Sequence, residues 1–284
     1  VALGRQAIDL AHLGLDDAKT YDVLSRGETV GVFKVESAGM RKALIGMKPD
    51  RIEDIIALVA LYRPGPMENI PTYNARKNGE EEIASIHPRI DHLLKETQGV
   101  IVYQEQVMQI AQVLSGYTLG EADLLRRAMG KKIRAEMDQQ RERFVDGAVE
   151  RGVGKPQANM IFDLLAKFAD YGFNKSHAAA YAIVSYQTAW MKAHYPVEYM
   201  TALLSVARND TAKISLYAAD ARRQGIPVLP PDINKSGLDF SIEAAAPGAA
   251  SPFAIRFGLA AVKNVGEGAV QAILDARQAN GPFQ

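Results

Sequence analysis

The sequence contains no cysteine. That excludes a disulfide scaffold, a CxxC redox site, a thiolate zinc site and a cysteine nucleophile. An excess of charge of either sign is also missing. Lys and Arg number 33 and Asp and Glu 33, so the chain lacks the overall basic balance that most simply marks a nucleic-acid binder. Any case for a polyanionic partner must rest on local arrangement. The longest apolar runs, such as Ile55–Tyr62 and Ala178–Val184, are too short to span a bilayer. No basic-then-apolar leader opens the chain, which starts on Val1; a processed product or excised piece in a reducing, cytoplasmic compartment is expected, with no membrane partner. A suitably spaced pair of aspartates is the last absence. None of the 17 Asp residues are two apart. The pair of Asp at i and i+2 on one strand, a common arrangement for two-metal nucleotidyl transfer, is therefore missing, and no metal site is expected.

What is present is an ordinary globular composition, 48% hydrophobic and 23% charged over 284 residues, enough for one large domain or two smaller ones. The pattern is mainly α. Val107, Ile110, Ala111 and Leu114 recur with helical spacing up to Gly116. Thr118-Leu-Gly-Glu121 fits a capping box, followed by a buried stripe of Leu124, Leu125 and Ala128 ended by Gly130. Ile133, Met137, Phe144 and Ala148 mark the next helix, and Ile161, Leu164, Leu165 and Phe168 another. Met108, Met129, Met137 and Met160 are expected on core faces. Ala178–Tyr195 is apolar on nearly all sides and predicts a central buried helix, with Pro196 opening the one after it. Gly31–Glu36 reads as strand-like. A boundary falls near 210, giving a multi-helical domain over 1–210 and a small one over 211–284, incomplete at its C-terminus. The small domain holds an extended Gly225–Asp232 segment, a short β-hairpin (Phe240–Glu243 with Phe253–Phe257) and a helix-hairpin-helix spacing over Leu259–Arg277.

Three clusters carry possible chemistry. Residues 126–143 hold seven basic and three acidic side chains. Arg126 and Arg127 near a helix C-terminus suit its dipole; Lys131 and Lys132, read as the first turn of the next helix, do not, and a bound anion would reconcile them. The stretch is not a P-loop, since no glycine stands five residues before Gly130. The second cluster is Asn174-Lys-Ser-His177: either Ser176 is a plain helix cap with His177 in the first turn, or Lys175 and His177 donate to phosphate with Tyr181 as a stacking surface. The third is Lys263-Asn-Val-Gly-Glu-Gly268, where Lys263, Val265, Gly266 and Gly268 would hold a DNA backbone, or the hairpin is purely structural.

Several stretches, in order, carry a resemblance: Gly31-Val-Phe-Lys-Val-Glu-Ser37, Ala57-Leu-Val-Ala-Leu-Tyr-Arg-Pro-Gly-Pro66, Val102-Tyr-Gln-Glu-Gln-Val-Met-Gln-Ile-Ala-Gln-Val-Leu-Ser-Gly-Tyr117, Leu125-Arg-Arg-Ala-Met-Gly-Lys-Lys132, Tyr171-Gly-Phe-Asn-Lys-Ser-His-Ala-Ala-Ala-Tyr181 and Leu229-Pro-Pro-Asp-Ile-Asn234. Together they resemble the fingers region and following helix-hairpin-helix domain of the C-family replicative polymerases, the bacterial DNA polymerase III alpha subunits. The resemblance implies a fragment of a DNA-directed DNA polymerase. Its fingers would close on the triphosphate of a dNTP, with Arg126 and Arg127 as the basic pair and Lys131, Lys132, Lys175 and His177 in matching motifs. Its C-terminal part would hold primer-template DNA. It also implies that the catalytic aspartates and Mg²⁺ belong to a palm outside this chain, that palm and thumb of the same polypeptide are its partners, and that the sliding clamp and other replicase subunits bind elsewhere. The fragment alone is expected to be inactive. A stand-alone DNA-binding module and a structural adaptor are the rival readings.

Overall fold

The computed structural model describes residues 8–131, 134–169 and 172–284; Lys132, Ile133 and Tyr171, singled out above, lie outside them. The fold is mainly α and divides into two compact units, one of residues up to Glu28 with Ser37–Gln187, the other of Thr29–Glu36 with Thr188–Gln284.

The first unit carries α1 (Ala18–Ser25), α2 (Ala38–Met47), α3 (Ile52–Leu61), α4 (Ile70–Lys77), α5 (Asp91–Leu94), α6 (Gln104–Ser115), α7 (Leu119–Lys131), α8 (Arg134–Glu150), α9 (Lys155–Ala169) and most of α10 (Lys175–His194). Local signals start these helices: Asp17 caps α1 through the Thr20 amide at 2.8 Å, and Ser37 caps α2 through that of Met40 at 3.3 Å. The α6 stripe is buried as expected and packs with Leu125, Met129, Phe144, Ala148, Ile161, Phe162 and Leu165 in one core. Inside the unit, Asp54 of α3 is fully buried and is met by Lys77 at 2.9 Å, Arg51 at 3.2 Å and the Tyr73 hydroxyl at 3.0 Å, which ties α3 to α4.

Three expectations for this unit are corrected. Leu124 is 60% exposed, because consecutive residues on a helix diverge by about 100° and the stripe that faces the core is Ala122, Leu125, Ala128 and Met129. Met160 likewise points outward. Helix α10 is not buried on all sides: Ala178, Ala182, Tyr186 and Ala189 are buried, whereas Ile183 and Val184 lie on an exposed face.

The second unit combines the end of α10 with α11 (Pro196–Val206), α12 (Thr211–Arg223), β1 (Val228–Leu229), β2 (Ser241–Ala244), β3 (Phe253–Arg256) and α13 (Glu267–Asn280). Pro196 stands at the first turn of α11, and Asp210 caps α12 through the Lys213 amide at 3.0 Å. The predicted hairpin is present, with Ile242 opposite Ile255, and β1 adds a parallel third strand in the order β1-β3-β2. The compositional boundary near 210 falls inside this unit. The reason is packing: Met200 and Leu204 of α11 share a core with Ile214, Tyr217 and Ala221 of α12 and with Ile255 of the sheet. Gly31–Glu36 is a run of turns rather than a strand, since Gly31 (φ 76°) and Lys34 (φ 64°) take left-handed conformations that break an extended chain. The Thr29 hydroxyl closes the loop on the Val35 carbonyl at 2.6 Å. Among the described residues, no helix is long and apolar enough to cross a membrane.

Candidate functional site

The basic cluster rests on α7. Its capping box forms as read from the sequence: Thr118 N–H donates to Glu121 Oε2 at 2.7 Å and Glu121 N–H to Thr118 Oγ1 at 3.2 Å. The Thr118 backbone donor holds the Glu121 carboxyl below the usual carboxylate range. The helix continues through Gly130 to Lys131, which corrects the expectation that Gly130 breaks it. A single glycine within a helix costs only about 1 kcal/mol relative to alanine, which a core-packed helix such as α7 absorbs. Lys131 therefore lies in the same run of helix as Arg126 and Arg127 rather than in a first turn after a break, so its position alone no longer calls for an anion.

Arg126 and Arg127 converge on one carboxylate. Arg126 donates Nε and Nη2 to Asp123 Oδ1 at 3.0 and 2.7 Å, and Arg127 Nε reaches Asp123 Oδ2 at 2.8 Å. The Arg126 hydrogen bonds, followed by the charges of both arginines, hold Asp123 below its ordinary value. The Arg127 side chain is 62% exposed and that of Arg126 29%, so the pair offers cationic groups to solvent on a helix whose other face is core.

At the start of α10, Asn174 is the cap, accepting from the His177 amide at 2.8 Å, rather than Ser176. The Lys175 amide donates to both oxygens of Glu105 at 3.1 Å, and its ammonium meets Glu96 at 2.8 Å. A carboxylate from α6 thus already sits at this helix N-terminus, the position an anion favours. His177 is exposed and packs between Phe173, ring centroids 5.4 Å apart, and Tyr181, 4.6 Å edge-on. Arg63 of the Arg63-Pro-Gly-Pro66 turn stacks on Phe173 at 4.3 Å, and burial holds its guanidinium below its ordinary value. Among the described cations of the two motifs, Arg126 and Arg127 share Asp123, and Lys175 meets Glu96 and Glu105. Asp123 was accessible from its i, i+3 and i, i+4 spacing; Glu96, Glu105 and Arg63 carried no local signal.

In the second unit, the first helix of the hairpin motif is only a 3₁₀ turn, Leu259–Ala261, and α13 is the second. Val270 is fully buried, while Ile273 and Leu274 are half-buried. Asn264 takes φ 67° in the turn, and the Val265 amide is used internally, donating to Val262 O at 3.1 Å. Gly266 caps α13 with no side-chain hydrogen bond, and a Cβ at Gly266 or Gly268 would meet nothing within 4 Å. Lys263 is exposed beside this open helix start. Arg208 pairs with Glu267 and Asp239, both at 2.6 Å, and so neutralises the acidic residue at the first position of α13. Among the described residues there is no group of three or more His, Asp or Glu that could hold a metal ion.

Residues 2–152 match the model of the bacterial DNA polymerase III alpha subunit finger domain, and residues 225–284 that of the helix-hairpin-helix motif. The chain is 58% identical over 282 residues to DNA polymerase III subunit alpha of Thermus aquaticus, covering 98% of this chain and 22% of the relative. It is 54% identical over 277 residues to that of Caulobacter vibrioides, covering 98% and 24%, and 48% identical over 288 residues to that of Escherichia coli, covering 99% and 24%. The chain spans less than a quarter of the length of these relatives.

Proposed function

The chain belongs to the bacterial DNA polymerase III alpha subunit finger-domain family, and we propose that it serves a cytoplasmic, replicative DNA-directed DNA polymerase as the part that binds the dNTP triphosphate and the DNA backbone. The parent reaction is attack of a primer 3′-hydroxyl on the α-phosphorus of a dNTP with release of pyrophosphate. Mg²⁺ and its carboxylates are assigned to the palm by the family resemblance, and no step of this chain runs through them. Its own contribution is electrostatic. Arg126 and Arg127, with Lys131, Lys132, Lys175 and His177 in support, neutralise charge on the β and γ phosphates and orient the leaving group. The observation that carries the reading is the arginine pair on core-packed α7, with Arg127 exposed and Arg126 half-buried. Palm, thumb and clamp are partners through the rest of the polypeptide. Steady-state primer extension by the intact polymerase with either arginine replaced tests it.

The α13 start supports backbone contact with duplex DNA: an open glycine turn, helix amides without a side-chain cap and exposed Lys263. Lys263→Ala is expected to weaken duplex binding about equally for all sequences and to reduce the slope of log K against log salt by about 0.9. A salt titration followed by fluorescence anisotropy checks this; an unchanged slope would remove Lys263 from the interface. The isolated chain is expected to incorporate no nucleotide, and Mg²⁺-dependent extension by it would reveal a carboxylate site of its own. A stand-alone module or adaptor is disfavoured because similarity to polymerase subunits runs over 98% of the chain.

A further inference from the structure

We propose that Asp123 is a positioning residue for the incoming nucleotide: its single carboxylate clamps the two α7 guanidinium groups into a fixed pair whose outer edges take the triphosphate. The inference rests on the triphosphate reading of Arg126 and Arg127. Positions 123, 126 and 127 lie at i, i+3 and i+4, so both arginines fold back over the same turn. The carboxylate is divided between them, Oδ1 taking Nε and Nη2 of Arg126 and Oδ2 taking Nε of Arg127. A guanidinium is a rigid planar fork, so fixing one edge aims the other. Arg127 is held through Nε, which leaves its Nη1–Nη2 edge for bidentate contact with phosphate oxygens. Two adjacent cations without a shared anion would repel each other and sample separate rotamers, and ordering them would then oppose nucleotide binding. The turn beneath is rigid, since Ala122, Leu125, Ala128 and Met129 are all buried.

A carboxylate this close to bound phosphate also adds negative charge. If that effect dominated, removing it would improve binding, so the sign of the result decides between clamp and competitor. The test uses the intact polymerase with Asp123→Asn, Asp123→Glu, Arg126→Ala and Arg127→Ala. The readouts are KM for dNTP, kcat and the melting temperature. Asp123→Asn keeps the shape but loses the charge that holds both arginines. It is expected to raise KM on the order of tenfold, with kcat changed less and the melting temperature within about 2 °C, as befits a partly exposed ion pair. Asp123→Glu, which keeps the anion, is expected to recover part of the loss. A melting shift with wild-type KM would mean a merely structural pair and overturn the proposal; a lowered KM would overturn it in favour of competition. If the arginine variants are impaired while Asp123→Asn behaves as wild type, only this inference fails. If both arginine variants behave as wild type, the triphosphate reading itself fails.

Discussion

Replacing Arg126 or Arg127 by alanine in the intact polymerase is expected to lower kcat/KM for dNTP on the order of a hundredfold, through both a higher KM and a lower kcat. That size follows from removing one charged donor aimed at charge that grows on the leaving group, an effect of about 2.7–4 kcal/mol where such donors have been deleted in water-excluded sites. The chain offers a means of separating this from unfolding. The contacts of both arginines to Asp123 are partly exposed, with side chains at 29% and 62%, and solvent-screened pairs of this kind add little to the stability of a fold. Each variant should therefore melt close to wild type while its kinetics collapse. Arg127, the more exposed, should show the larger loss, since less of its guanidinium is engaged by protein. Wild-type kinetics in both variants would remove the pair from the triphosphate site.

Asp220→Ala is expected to destabilise the second unit by about 3–5 kcal/mol, measured by denaturant unfolding. Asp220 is 3% exposed and accepts from Lys192 Nζ at 2.8 Å, Arg223 Nη2 at 2.6 Å and Gln224 Nε2 at 2.8 Å. Lys192 is 2% exposed and also donates to the Val30 carbonyl at 2.7 Å. Truncating the aspartate strips the ammonium of its buried carboxylate without restoring water. Replacing the two together by apolar residues of similar size, Lys192→Met with Asp220→Leu, should return most of the loss, because the penalty comes from the uncompensated charge rather than from the absence of a bond. A cost below about 1 kcal/mol for Asp220→Ala would show that water reaches the ammonium once the carboxylate is gone.

These two predictions differ in how much of their basis the sequence displays. The arginine pair, its cap Thr118-Leu-Gly-Glu121 and the core stripe of α6 involve neighbours within one or two turns, and they are found where the periodicity placed them. The Lys192–Asp220 pair spans 28 residues, and nothing in either local pattern singles it out. Gly130 shows the limit of a local rule. Glycine ends many helices, but a helix with Met129 anchored in the core runs through it. Leu124 shows another: an apolar pair counts as one buried position, and only the bundle decides which member it is.

The helical class, the starts of α7 and α11, the β-hairpin, the glycine turn before α13 and the basic residues on α7 all follow from residue order alone, because each depends on backbone geometry within a few residues. Which faces remain exposed is settled only once the helices pack. So is the division into packed units, one break of which falls within α10. The same holds for Glu96 and Glu105, which neutralise the start of α10 from 79 and 70 residues away. Pairings at such separations are set by how the chain closes on its core, and no spacing rule over a few turns can encode them.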